Sequence, residues 1–183
     1  PVTTSSYVVD NTTSTVTTVA LSDVQITDAD DGATVTATIT FSEAMDQMVA
    51  PTVTNNAGTT LTSGSGAWTS ATTYVMTYTV DDANVDLADV TFDVTGAKDL
   101  AGNTQVAATA VSTGSDVDTV NPTVTIDITT SSLSDTTNSS QVNFTFSEAP
   151  GTTFTLDDIS ATHGVMSDLV QEDATHYHAT FTA

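Results

Sequence analysis

The chain of 183 residues contains no cysteine and no arginine, and Lys98 is its only basic side chain. Without cysteine there can be no disulfide framework, no thiolate metal site and no thiol catalysis. A single positive side chain cannot neutralise a run of phosphates, so we expect neither nucleic acid nor an anionic membrane surface as a partner. No run of 18 apolar residues occurs, and we therefore expect no membrane insertion.

Acidic and β-branched residues are what the sequence has in abundance. There are 23 Asp and Glu residues, giving a net charge of -22. Such mutual repulsion is typical of proteins that bind divalent cations or that work in high salt or outside the cell. Threonine (42) and valine (22) together exceed a third of the chain, and both favour an extended backbone. The composition therefore predicts an all-β protein.

Apolar residues alternate with threonines over Ala33–Phe41, the pattern of an antiparallel strand with one buried face. Similar segments follow at short intervals, and Ser63–Gly66 between two of them is predicted to be a turn. About seven strands in roughly 100 residues is the count of an immunoglobulin-like β-sandwich. The predicted strands are Thr15–Ala20, Ala33–Phe41, Thr52–Thr54, Thr59–Thr62, Tyr74–Val80, Val90–Val94 and Thr104–Val111.

An internal repeat defines the folding units. The segment Asp10–Thr17 matches Asp118–Thr125, and Phe41-Ser42-Glu43-Ala44 matches Phe146-Ser147-Glu148-Ala149. Self-similarity with a period slightly above 100 residues predicts tandem domains. We expect residues 1–10 to be the tail of a preceding repeat, 11–114 the first unit, 115–120 a linker and 121–183 a second unit.

The second unit is predicted to be incomplete. Its strands fall at Thr123–Ile128, Gln141–Phe146, Thr153–Leu156, then Asp158–Ala161 or Val165–Leu169, and His176–Thr182. The last two strands of the first unit have no counterpart, which would leave backbone and core exposed. Either the natural polypeptide continues or another chain supplies the strands.

Several motifs indicate a family. Phe41–Asp46, Trp68 and Lys98–Asn103 resemble the bacterial Ig-like repeats built around "FSE.M" and "DxAGN", while Phe144–Ala149 and Phe154–Ile159 resemble Ig-like repeats of giant bacterial surface adhesins of the RTX and biofilm-associated type. The resemblance implies extracellular spacer repeats that hold a terminal binding domain away from the cell and that calcium stiffens between domains. Its implied partners are neighbouring repeats, with host or biofilm surfaces contacted through other domains.

Strand alternation also predicts where cations bind, because successive loops fall at alternate ends of a sandwich. Three acidic groups meet at the linker end of the first unit, and calcium suits such irregular sets of carboxylates. The opposite end carries Asp10 and Asp99 beside Glu43, Asp46 and Asn103, as half of a site shared with a preceding unit. The alternative for each loop is that Asp and Asn only cap turns. The linker-end set comprises Asp28, Asp30, Asp31, Asp82, Asp116 and Asp118, with Glu148 contributed by the second unit.

The residues give little support for catalysis. There is no Gly-x-Ser-x-Gly motif and no histidine in the first unit, so a serine nucleophile would lack its base there. His176 and His178 share one strand face at a spacing that can chelate a transition metal, without an evident third ligand.

Two alternatives to a spacer stay open. One is a glycan- or protein-binding module using Ser63–Trp68 or Asp157–Gly164, and the other is a surface-layer or filament subunit completed by strand exchange.

Overall fold

The structure is a computed structural model that describes residues 9–183, so most of the predicted tail over residues 1–10 lies outside the described residues. The prediction of an all-β fold is confirmed, since the described chain contains strands and two short 3-10 helices, Asp28–Asp30 and Leu156–Asp158. None of its helices is long and apolar enough to cross a membrane. The strands are β1 (Val16–Leu21), β2 (Gln25–Thr27), β3 (Thr34–Phe41), β4 (Thr52–Asn55), β5 (Leu61–Trp68), β6 (Thr73–Val80), β7 (Asp86–Leu87), β8 (Thr91–Thr95), β9 (Ala108–Ser112), β10 (Asp116–Asp118), β11 (Val124–Ile128), β12 (Ser139–Phe146), β13 (Val165–Gln171) and β14 (His176–Thr182).

The chain divides into two compact units, one ending at Val120 and the other beginning at Asn121. The first unit contains a four-stranded sheet in the order β1-β3-β6-β5 and a three-stranded sheet in the order β4-β8-β9. Alternate residues of β3, from Val35 to Phe41, are buried and form one core cluster with Phe92 and Val94 of β8. The period-two pattern thus places one face of β3 in a core between two sheets.

A third small sheet, β2-β10-β7, contains the segment that the sequence predicts to be a linker. Strand β10 pairs in parallel with β2 and antiparallel with β7. Its central residue, Val117, is 1% exposed and belongs to the first unit's core. Residues 115–120 are therefore part of the first unit in the structure, because burial of Val117 ties this segment to β2 and β7.

The second unit repeats the four-stranded sheet of the first, in the order β11-β12-β14-β13. Val124 lies opposite Phe146, as Val16 lies opposite Phe41. The Ser147 hydroxyl accepts the N–H of Thr123 at 2.9 Å, and Ser42 accepts that of Thr15 at 3.0 Å. This serine explains part of the repeated Phe-Ser-Glu-Ala motif, since it ties the end of the central strand to the start of the edge strand.

Two local predictions were wrong. Thr153–Leu156 forms no strand; the segment leads into the 3-10 helix Leu156–Asp158. Its counterpart β4 pairs with β8 in the first unit, and the second unit has no strand equivalent to β8 among its described residues. Ser63–Gly66 lies inside β5 at a register shift, where a side chain at Gly66 would overlap Met76 and Tyr74; the glycine serves close packing there.

Candidate cation site

Three carboxylates converge at one end of the first unit. Asp10 precedes β1, Glu43 follows β3 and Asp99 follows β8, and one oxygen from each lies within 4.8 Å of the others. Within residues 9–183 this is the one group of three such side chains that meets that distance criterion. The structure therefore brings Asp10 and Asp99 together as predicted, with Glu43 as the third member; we call these three residues the Asp10 cluster.

The Lys98–Asn103 turn holds the cluster in place. Gly102 has a φ of 92°, a backbone conformation that glycine adopts without steric cost. The turn lets the Asn103 backbone N–H donate to Asp99 Oδ1 at 2.8 Å, and the Asn103 side-chain amide donates to Asp99 Oδ2 at 2.8 Å. The same amide donates to the carbonyls of Asp10 and Thr12, both at 3.1 Å. Asn103 therefore fixes the entering chain, and Asp10 with it, against Asp99.

The loop carrying Glu43 is anchored to the same turn. Met45 forms a β-bridge with Asp99, and the Asp46 N–H donates to the Lys98 carbonyl at 2.8 Å. Met45 is 1% exposed, so its side chain locks this loop to the core. The loop's position is thus set by backbone pairing and by an apolar anchor rather than by the charges themselves.

The pKa values of two members of the cluster are shifted in opposite directions. Partial desolvation, followed by repulsion from Asp10 and Asp99, raises the pKa of Glu43. Desolvation also acts to raise the pKa of Asp99, but hydrogen bonds from Asn103 and neighbouring backbone groups outweigh it and lower the pKa overall. Asp99 is thus held ionised while Glu43 carries the electrostatic penalty. A cation binding here would relieve that penalty.

At the linker end of the first unit the structure brings together part of the predicted set. Asp118 lies opposite Thr27, the residue before Asp28, and desolvation together with the charges of Asp82 and Asp118 raises the pKa of Asp28. Asp31 Oδ1 accepts the N–H of Asp82 at 3.1 Å. Asp28, Asp31, Asp82 and Asp118 therefore lie at one end, as strand alternation predicts.

Two of the other predicted ligands, Asp30 and Asp46, have structural roles of their own. Asp30 accepts the N–H and hydroxyl of Thr27 at 2.8 and 3.0 Å, capping the first 3-10 helix. Asp116 lies on β10 opposite Gln25. Asp46 accepts the Met48 N–H at 2.9 Å in its own turn. Glu148 lies in the second unit, after β12, at the place that Glu43 takes after β3.

Sequence reasoning missed the cap at Asp30, although a local signal was present. Thr27 and Asp30 have the three-residue spacing of a capping box, and Thr155 with Asp158 repeats it before the second 3-10 helix. It also missed β2, β7 and β10, each only two or three residues long. Strands this short contain too few residues to show a period of two.

Comparison with known proteins adds one family match. Residues 118–183 match the family of bacterial Ig-like domains, which supports the predicted Ig-like repeats without singling out the RTX or biofilm-associated type. The solved structure of FdeC, an Escherichia coli adhesin, aligns at 14% identity over 90% of this chain and 54% of that one, with a TM-score of 0.41. This chain thus spans about half of that structure. No protein of curated function matches the sequence.

Proposed function

We propose that this chain is part of an extracellular bacterial surface protein in which Ig-like units serve as non-catalytic spacers, and that Ca²⁺ stiffens them at acidic ends. The observation that carries the proposal is the Asp10 cluster. It joins the segment that enters the unit to loops that follow two core strands. A cation held there would fix the entering chain to the body of the unit.

The donor set of the cluster suits calcium. Ca²⁺ takes six to eight oxygen ligands at irregular angles, whereas Mg²⁺ demands near-octahedral geometry and keeps its water. Asp10, Glu43 and Asp99 would provide three carboxylates, and water or a neighbouring repeat would complete the shell. The linker-end acids Asp28, Asp82 and Asp118 form a second, looser set. Binding at both ends would restrict bending where units join.

The test is thermal unfolding of the whole chain in EDTA, in millimolar Ca²⁺ and in millimolar Mg²⁺. Saturation at about 100 times the Kd stabilises a protein by about 2.7 kcal/mol. We expect Ca²⁺ to raise the Tm of the first unit more than Mg²⁺ does. Small-angle scattering on the same samples would report whether the chain becomes more extended.

Two variants separate metal binding from a structural role. Glu43→Gln removes the carboxylate whose pKa is raised by desolvation and by its acidic neighbours, so in EDTA it should keep or increase stability while losing most of the Ca²⁺ response. Asp127→Asn, on β11 of the second unit, removes the same charge elsewhere and should respond to Ca²⁺ like the parent. Equal Tm values for the parent in EDTA and Ca²⁺ would reject the calcium proposal and leave the cluster as a capped turn.

A second candidate function, a subunit completed by strands of another chain, is favoured by the second unit's exposed apolar face. A groove of about 270 Å³ there is lined by Ile126, Ile128, Phe144 and Phe181, among others. Ile126 and Ile128 are 60% and 53% exposed. Light scattering over a range of concentrations tests this candidate. The chain should assemble reversibly, and Ile126→Ser should abolish that assembly.

A further inference from the structure

We propose that His176 and His178 form a surface site for a divalent transition metal such as Zn²⁺, Ni²⁺ or Cu²⁺, separate from the Asp10 cluster and the acidic residues at the linker end. Both histidines lie on β14, two residues apart, so their side chains project from the same face. The intervening Tyr177 is 5% exposed and points into the core on the other face. The imidazoles are therefore on the outer face of the sheet, with 48% and 28% of their side-chain surface exposed.

The strand that carries the pair is held on both sides. β14 lies between β12 and β13, with His176 opposite Thr145 and His178 opposite Asn143 on one side and Val170 on the other. Two residues of an extended strand span about 6.5 Å, and two imidazoles at that separation can reach one ion at the usual metal–nitrogen distance of about 2.0–2.1 Å. Both ligands thus project from a paired backbone rather than from a loop.

A carboxylate orients each imidazole. His176 Nδ1 lies 2.9 Å from Asp173 Oδ1, and His178 Nδ1 lies 2.9 Å from Glu172 Oε1. An ionised carboxylate can only accept a hydrogen bond, so each Nδ1 carries the proton and each Nε2 of the neutral ring keeps its lone pair. Carboxylate–histidine pairs of this kind fix the tautomer and raise the basicity of metal ligands.

The charge and chemistry around the pair select the metal class. Residues 121–183 contain eight Asp and Glu and no Lys or Arg, so the local potential favours a cation. Imidazole nitrogen suits zinc, copper and nickel, whereas calcium prefers oxygen ligands. Because Glu172 and Asp173 are committed to the Nδ1 atoms, two histidines bind the ion and water fills the remaining positions.

The test is titration of the whole chain with Zn²⁺ and Ni²⁺ in millimolar Ca²⁺, an excess of a cation that competes for carboxylates and not for imidazoles. Isothermal calorimetry gives stoichiometry and affinity, and NMR of the imidazole protons identifies the ligands. We expect one saturable site, with shifts at the imidazoles of His176 and His178. His176→Gln or His178→Gln should weaken binding at least tenfold, and Glu172→Gln or Asp173→Asn should weaken it about 10- to 100-fold.

His163→Gln is the matched control, because His163 is the chain's third histidine and lies in the turn before β13. It should bind as the parent does. Retention of the parent's affinity by the double variant His176→Gln/His178→Gln, or equal weakening by His163→Gln, would overturn the proposal. Urea unfolding without metal checks that each variant folds.

Discussion

The two units carry the same four-stranded sheet, but they bury its inner face to different extents. Val19 lies opposite Ile39 and Ile126 lies opposite Phe144, at equivalent places in the two sheets. Val19 is 5% exposed and Ile126 is 60% exposed. The first unit covers this face with β4, β8 and β9, and the described second unit has no such layer. The same strand pattern thus yields a full core only where a second sheet is present.

Aromatic packing differs in the same way. In the first unit Tyr78 contacts Phe92 of the covering sheet, with ring centroids 5.8 Å apart. In the second unit Phe154, from the loop after β12, packs against Phe146 and Tyr177 with centroid distances of 4.8 and 5.2 Å. The first unit has a similar cluster, since Trp68 of β5 packs against Phe41 and Tyr74, the counterparts of Phe146 and Tyr177, with centroid distances of 5.3 and 5.1 Å. The aromatic difference between the units is therefore the contact of Tyr78 with Phe92 of the covering sheet.

The largest effect that we predict is that of Phe92→Ala. Phe92 is fully buried between the two sheets, and truncating such a ring costs about 3–5 kcal/mol. We expect urea denaturation to show a lower midpoint for the first unit, followed through its own NMR signals, with the second unit unchanged. Phe181→Ala, at the place equivalent to Tyr78, should cost less because Phe181 borders the open groove. Equal losses would contradict the difference in core coverage.

The next prediction compares Val19→Ala with Ile126→Ala. The first change removes two buried methyl groups and should cost about 2 kcal/mol. The second removes more carbon atoms from a side chain that is 60% exposed, and it should cost only about 0.5 kcal/mol. Denaturant midpoints of the two units measure both. If Ile126→Ala proved the costlier change, its side chain would have to be covered in solution.

A smaller effect, equal in both units, is predicted for Ser42→Ala and Ser147→Ala. Each hydroxyl accepts the backbone N–H of an edge strand, from Thr15 and Thr123. Losing such a bond costs about 0.5–1.5 kcal/mol. Hydrogen exchange at those two amides should accelerate in the corresponding variant. Acceleration in only one of them would show that the motif acts differently in the two units.

The smallest predicted effect is the change in folding stability at acidic pH. Hydrogen bonds from Thr175 and His176 lower the pKa of Asp173 to about 2 from the usual 3.8. A lowered folded-state pKa contributes stability above pH 3.8 that is lost as the pH falls towards 2. Glu43 in the first unit behaves oppositely, because desolvation and the charges of Asp10 and Asp99 raise its pKa, so its protonation favours the folded state. Carboxyl NMR should therefore show Asp173 titrating well below Glu43, and the reverse order would contradict both assignments.

Some of the fold and of the site could be predicted from local pattern. β3 and β6 were found within about one residue because their alternation extends over eight residues each. The convergence of Asp10 and Asp99 followed from the rule that loops alternate between ends. The spacing of those oxygens, and the role of Asn103 in setting it, could not be predicted, because they depend on hydrogen bonds between residues more than 90 positions apart.

By itself, the sequence determined the all-β class, the repeat of the unit and the acidic character of both ends of the first unit, because strand alternation, repeated motifs and charge can be read directly from the residues. Tertiary structure alone decided that β10 joins the first unit, since burial of Val117 requires β2 and β7 as partners. It likewise decided that Thr153–Leu156 is not a strand, because an edge strand needs a neighbour to accept its hydrogen bonds. Pairing depends on distant residues, which no local pattern contains.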